Sequence, residues 1–317
     1  MRQWNGLAIL TLLLAAMPSA QACGACGCTL HSDWAVQGLG TQPGFRFDLR
    51  YDYFNQDQLR SGTKTMARNS FELPNEMELQ EKTLNRNLTA ALDYSPNADW
   101  GVTVLVPFFN RYHATIAPGD TDPSFSKGNG LGDVRVLGRY QGFSESHAFG
   151  VQVGVKLATG GTRQTFNAGA QAGEALDRGL QLGTGTTDLL FGAYGFGDLA
   201  QDWGLFGQVL FQKPMAEKDG FKPGDGVNAN VGIRYTGNAA FTPHLQLNVR
   251  AEGRESGLNA DVDNSGATLV YLSPGVTFSL SRSFQVYVFA QLPVAQRVTG
   301  LQIEPKWSAS LGMHWTF

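Results

Sequence analysis

Cys23, Cys26 and Cys28 form a C-x2-C-x-C run, and His31 follows them. Thiolates are soft donors, so three sulfurs and an imidazole within residues 23–31 suit Cu or Zn as a bound metal. The same thiols could instead oxidise in a disulfide-permissive compartment, with one left over. A second set of chemistry-bearing residues is spread along the chain. It comprises Arg46, Asp48, Arg50 and Asp52, then Asp133, Arg135 and Arg139, then Lys156, then Arg234, then Arg250 and Glu252. Spacings of two and four place side chains on one face of an extended strand, so the members of 46–52, of 133–139 and of 250–252 each share a face.

The 317 residues include 39 Gly and only 16% charged residues, against 42% hydrophobic. Such a chain is too apolar for disorder and too Gly-rich for a helical bundle. A net charge of -3 offers no field for nucleic acid, and three Cys cannot staple a chain this long.

Residues 1–22 read as a cleaved signal peptide. Arg2 supplies the positive start, Leu7 to Met17 form an apolar stretch, and Ala20-Gln21-Ala22 fits an A-x-A cleavage site before Cys23. That stretch is too short to span a bilayer as a helix, which needs about 20 residues. No later segment is a helical span. An exported chain of this kind is either soluble beyond the inner membrane or a β-barrel.

The rest alternates with period two. Phe45, Phe47, Leu49, Tyr51 and Tyr53 share one face, and Arg46, Asp48, Arg50 and Asp52 the other. Twelve such runs occur: 44–54, 84–94, 100–110, 133–141, 149–157, 187–196, 203–212, 228–236, 244–252, 268–280, 284–292 and 306–317. Their lengths suit tilted strands crossing hydrocarbon. Both faces of 187–196 are apolar, which leaves its register open. Pro274 falls on the outer face of 268–280 and implies a bulge there.

The connections decide between a sandwich and a membrane barrel. Segments 55–83, 111–132, 158–186, 213–227, 253–267 and 293–305 are long. Between them, 95–99, 142–148, 197–202, 237–243 and 281–283 are short. Strict alternation of long and short is the pattern of an up-and-down antiparallel transmembrane β-barrel, with short turns facing the periplasm. The domain plan is then a signal peptide (1–22), a Cys-containing periplasmic or plug segment (23–43) and an all-β barrel of about 12 strands (44–317). At the short-turn ends the outer face carries Tyr94, Trp100, Tyr140, Trp203, Tyr235, Phe284, Trp315 and Phe317, as a membrane-boundary girdle would. In the terminal Trp315-Thr316-Phe317 the chain resembles bacterial outer-membrane barrels, whose last strand closes with an aromatic residue. That resemblance implies the Gram-negative cell outer membrane as location, and lipid and the barrel assembly machinery as partners.

A narrower resemblance covers roughly 85–317. Gly130-Leu131-Gly132-Asp133 opens one strand, Val155-Lys156-Leu157-Ala158-Thr159-Gly160-Gly161 ends another, and Gly183-Thr184-Gly185-Thr186-Thr187-Asp188 opens a third. These are similar to motifs of the exported barrel transporters labelled "MetA-pathway of phenol degradation", although Ala158 stands where that family usually has Pro. The resemblance implies an outer-membrane channel with a small-molecule solute, aromatic compounds among them. None of the Gly-rich segments opens a helix, so they are not phosphate loops. They read as strand starts beside external loops.

Twelve strands at ~4.8 Å spacing and about 40° tilt enclose a backbone cylinder roughly 24 Å wide. The eleven charged residues above would line it. Their slight cationic excess favours anions. The lining fits an open pore, and equally a plugged lumen held by Arg–carboxylate networks. The expected function is porin-like transport, the passive passage of small solutes. A metal-handling or metal-sensing barrel using the N-terminal thiols is the first alternative. A barrel hydrolase is the second. For it, His113 lies near Asp120 and Asp122, while His147 and His314 fall toward the other end. No G-x-S-x-G nucleophile appears, so the chain does not read as an enzyme. Loop 118–133 lacks the spacing of a Ca²⁺-binding EF-hand.

Overall fold

The computed structural model describes residues 42–317. The signal peptide, Cys23, Cys26, Cys28 and His31 lie outside the described residues. The chain forms β1 (Gly44–Gly62), β2 (Lys64–Thr65), β3 (Leu79–Ser95), β4 (Trp100–Ile116), β5 (Ser124–Leu131), β6 (Arg135–Tyr140) and β7 (Phe149–Lys156). It continues with β8 (Asp188–Ala200), β9 (Trp203–Pro214), β10 (Gly226–Tyr235), β11 (Phe241–Glu252), β12 (Ala267–Ser279) and β13 (Phe284–Thr316).

Successive strands pair antiparallel, and β13 closes the ring on β1 from Arg46↔Thr316 to Leu59↔Ile303. Closure leaves no free sheet edge, which a lipid environment demands. Eleven strands complete the ring, with β2 and β5 outside it. β13 is longer than the rest because it makes two passes. Its first half pairs with β12 and its second with β1, and Gly300 at the fold-back has φ +64. Phe284 stacks on Trp315, Ser308 donates to Gln291 Oε1, and Thr316 N donates to Ser283 O, so the two halves lie side by side. With that element counted twice, the barrel has twelve staves.

Alternation sorts the faces. On β1, Phe45 and Tyr51 are exposed outside, whereas Arg46, Arg50, Asp52 and Gln56 are buried inside. The outer face carries exposed Leu88, Leu92, Val153, Phe191, Leu205, Val231, Leu247, Leu292 and Leu311. Aromatic contacts mark its two margins. At the short-turn end Phe45 stacks on Tyr94, Trp100 meets Tyr140, Trp203 meets Tyr235, and Phe284 meets Trp315. At the other margin Tyr53 meets Trp307 and Phe191 stacks on Phe211. Eight residues of a tilted strand separate Phe45 from Tyr53, roughly 20 Å along the axis, close to the ~25 Å apolar band of such barrels.

Several details differ from the sequence reading. Residues 124–131, expected in a loop, form β5 on the upper half of β4, while β6 pairs with its lower half. Gly132, Asp133 and Val134 separate the two along β4. Pro274 is exposed on the outer face, but it pairs with Leu245 without a bulge. The register shift lies instead at Val270/Tyr271, opposite β13. In 188–196 the ambiguity resolves, with Leu190 and Tyr194 buried inside and Leu189 and Phe191 outside. The interior also holds aromatic rings where a neighbouring strand supplies Gly. Tyr194 lies over Gly150, Phe206 over Gly232, Phe289 over Gly275 and Tyr287 over Gly312. Above the upper margin β1, β3, β4 and β13 rise further, because Leu59, Leu79, Ile116, Leu301 and Ile303 pack together there.

Candidate functional site

The inward charges sit at three heights. Nearest the short turns, Asp93 is shared by Arg46 and Arg139, which also both donate to Ser95 Oγ, and it accepts from Thr103 Oγ1 at 2.6 Å. This network runs along neighbouring strands and stays on the wall. Higher up, Arg50 Nε donates to Asp52 Oδ2 at 2.9 Å and Ser310 Oγ to Asp52 Oδ1 at 2.5 Å. Asp48 accepts from Tyr287 Oη at 3.0 Å, with His314 Nδ1 at 3.7 Å. Arg234 lies alongside Gly204.

The third level is built by the Gly-rich segments. Lys156 Nζ stands 2.8 Å from Asp188 Oδ2 and 3.3 Å from Asp133 Oδ2. Asp133 accepts from Gly160 N, Thr184 N and Thr184 Oγ1, each at 2.9 Å. The three motif segments at 130–133, 155–161 and 183–188 therefore meet at one carboxylate. Gly160 and Gly183 touch backbone to backbone, and a Cβ on Gly160 would stand 2.6 Å from the Gly183 Cα. The expectation that these glycines only ease strand starts needs correcting. They let both ends of the 157–187 connection close on Asp133.

That connection folds inward. Leu180 and Leu182 are buried, and Arg111 Nη1 donates to Leu180 O at 2.7 Å and Gln181 O at 3.2 Å. Arg178 lies 5.1 Å over the Phe221 ring, joining the connection to the one between β9 and β10. A cavity of about 110 Å³ remains beneath it. Arg50, Arg111, Arg135, Lys156 and Arg178 line it, with Asp133 and Glu252 as the acidic members, and Leu105, Phe109, Leu182 and Phe221 supply apolar wall.

Of the eleven charged residues singled out from sequence, five line this cavity: Arg50, Asp133, Arg135, Lys156 and Glu252. Asp52 and Arg250 each pair with one of these. Arg46, Arg139, Asp48 and Arg234 lie elsewhere on the inner wall. Arg111 and Arg178 were missed. Arg111 continues the inward series of β4 one residue past the 100–110 run. Arg178 sits in a long connection, where periodicity is silent.

Among the described residues, no cluster of His, Cys, Asp and Glu could hold a metal. The hydrolase residues are scattered. His113 is buried, with Nδ1 2.8 Å from Thr83 Oγ1, while Asp120 accepts from Gln171 Nε2. His147 Nε2 meets Asp99 Oδ1 at 2.8 Å at the short-turn end.

A closed antiparallel ring with an apolar outer band, aromatic margins and a charged interior defines an outer-membrane β-barrel. The fold is similar to an outer membrane channel from Pseudomonas putida F1, with 12% identity, TM-score 0.61, and 87% of this chain and 96% of that one covered. It is also similar to the β domain of the Bordetella autotransporter BrkA, with 14% identity, TM-score 0.50, and 86% and 100% covered. At such identities the likeness speaks to fold. No protein-family model matches the sequence, and no curated protein matches it.

Proposed function

We propose that this chain is a passive channel of the outer membrane for small solutes, with preference for anions and room for aromatic compounds. The observation that carries the reading is the cationic cavity where the 157–187 connection narrows the lumen. Five lining cations against two lining carboxylates raise the local concentration of anions, and low-dielectric walls strengthen that field. The resemblance of the Gly-rich motifs to the phenol-degradation transporters supports the aromatic part. In this reading the exported chain is cleaved after Ala22 and inserted by the barrel assembly machinery.

Purified protein in planar bilayers tests it. The expected result is discrete conductance steps, with a reversal potential in a KCl gradient displaced toward the chloride potential. Absence of any current or solute flux at all voltages would reject the channel. Metal binding by Cys23, Cys26, Cys28 and His31 is a separate proposal, resting on the sequence spacing alone. Titration with Cu(I) or Zn(II) is expected to give one ion per wild-type chain and less for Cys26→Ser, and equal stoichiometry would remove it.

A further inference from the structure

We infer that the cavity beneath the 157–187 connection is a binding site for single-ring aromatic carboxylates. The inference rests on the channel reading and names the solute class of that same lumen.

Charge is the first argument. Arg50, Arg111, Arg135, Lys156 and Arg178 line the cavity against the carboxylates Asp133 and Glu252. Asp52 pairs with Arg50 and Asp188 with Lys156 beside it. In a partly dehydrated place an added carboxylate is favoured beside a cation that has no carboxylate of its own. Arg178 is such a cation. Arg178 takes part in no ion pair among the described residues, donates to Thr184 O at 3.0 Å, and has an Nε with no hydrogen-bond partner. A guanidinium fork matches a planar carboxylate.

The wall between these cations is the second argument. Arg111 lies 5.8 Å from the Phe109 ring centre, and Arg178 lies 5.1 Å from that of Phe221. Each pair offers a flat stack beside which a further ring fits. Leu105 and Leu182 complete an apolar side. An inorganic anion would leave that side wet, and a neutral hydrocarbon would leave the cations unmatched. A ring bearing one carboxylate satisfies both.

Size is the third. A cavity of about 150 Å³ takes up benzene, and about 110 Å³ is of that order, so the space holds no more than one ring, with the carboxylate outside it on the lining cations.

Benzoate is the probe, with benzyl alcohol (ring without charge) and acetate (charge without ring) as controls. In bilayers holding the full protein, benzoate is expected to reduce the open-channel current in a saturable way at concentrations where neither control does. Loss of one charged partner should weaken that block about tenfold in Arg178→Gln, while Arg178→Lys keeps most of it. Arg135→Gln on the wall is expected to act like Arg178→Gln, so a misfolded loop variant does not decide the matter. Calorimetry on the detergent-solubilised protein reads binding without current. Block by acetate equal to that by benzoate, or block in both Gln variants equal to that in the wild-type protein, overturns the site and leaves the channel standing. No current but saturable benzoate binding overturns the channel and leaves the site. Neither current nor binding overturns both.

Discussion

Gly312 shows how one absent atom shapes the interior. Tyr287 lies across it, and a Cβ there would overlap the ring. The Tyr287 hydroxyl, so placed, reaches Asp48 Oδ1 at 3.0 Å. Gly312→Ala should push the ring off its seat at a cost of about 1–3 kcal/mol, as overpacking does. Urea unfolding in detergent, followed by gel mobility, reads the loss. In a Tyr287→Ala background the same change should cost far less, and an equal cost in both backgrounds would remove the explanation. Within a recognised run, inward charges such as Arg50 and Arg135 are legible from parity, whereas Arg111 and Arg178 fall outside the runs. The same parity turns Tyr287 and Phe289 of the 284–292 run inward, but their seats on glycine depend on a register between strands that no single run encodes.

Glu78 carries the pH dependence of the long-loop rim. It precedes β3 and accepts from Thr115 Oγ1 at 2.6 Å. Burial first, and the nearby Asp177 charge second, push its carboxyl from 4.5 up to about 7. The folded rim therefore holds a proton that the unfolded chain releases. Its stabilising effect is full below pH 4.5, falls as pH rises, and is gone above about 7. Amides of the 72–79 segment, corrected for intrinsic rates, should lose exchange protection between pH 5 and pH 8. Glu78→Gln should flatten that loss. A Gln variant with the wild-type profile would assign the effect elsewhere.

At the scale of elements, the alternation was readable only where lipid enforces it. All twelve runs are strands, and their short-turn ends agree closely with the structure. Above the upper aromatic margin nothing requires an apolar exterior. There β1, β3, β4 and β13 continue as strands in which successive residues such as Leu301, Gln302, Ile303 and Glu304 are all buried. A period-two reading stops too early in such a stretch, which is why Arg111 fell outside its run. The 157–187 connection was unreadable for a different reason. It has no period, and its position is set by Asp133, a residue far back in the chain.

Asp133→Asn tests that dependence. The amide keeps one acceptor but loses the charge facing Lys156 and cannot accept from all of Gly160, Thr184 N and Thr184 Oγ1 as the carboxylate does. Charge-assisted bonds of this kind contribute about 1.5–3 kcal/mol each. The 157–187 connection is expected to become cleavable by added protease while the barrel still migrates as a folded band. Its single-channel current is expected to grow larger and noisier. Unchanged protease resistance would show that Arg111 and Gln181 hold the connection without Asp133.

For the whole molecule, the decisive physical statement concerns which face meets lipid. If the outer band is in hydrocarbon, the cost of a charge must depend on depth. Leu247 lies on the outer face midway along β11, and Phe241 lies at the short-turn end of the same strand. Arginine at the bilayer midplane costs about 2–4 kcal/mol, against about 0–1 near the interface. Leu247→Arg should therefore destabilise the folded barrel in lipid vesicles well beyond Phe241→Arg. Asn248→Arg, one residue along but facing the lumen, should alter current rather than insertion. Among soluble sandwiches or barrels the first two substitutions would cost similar amounts, because both positions would face water. Equal denaturant midpoints for Leu247→Arg and Phe241→Arg would therefore contradict the membrane barrel itself, and with it every lumenal argument built on which side chains point inward.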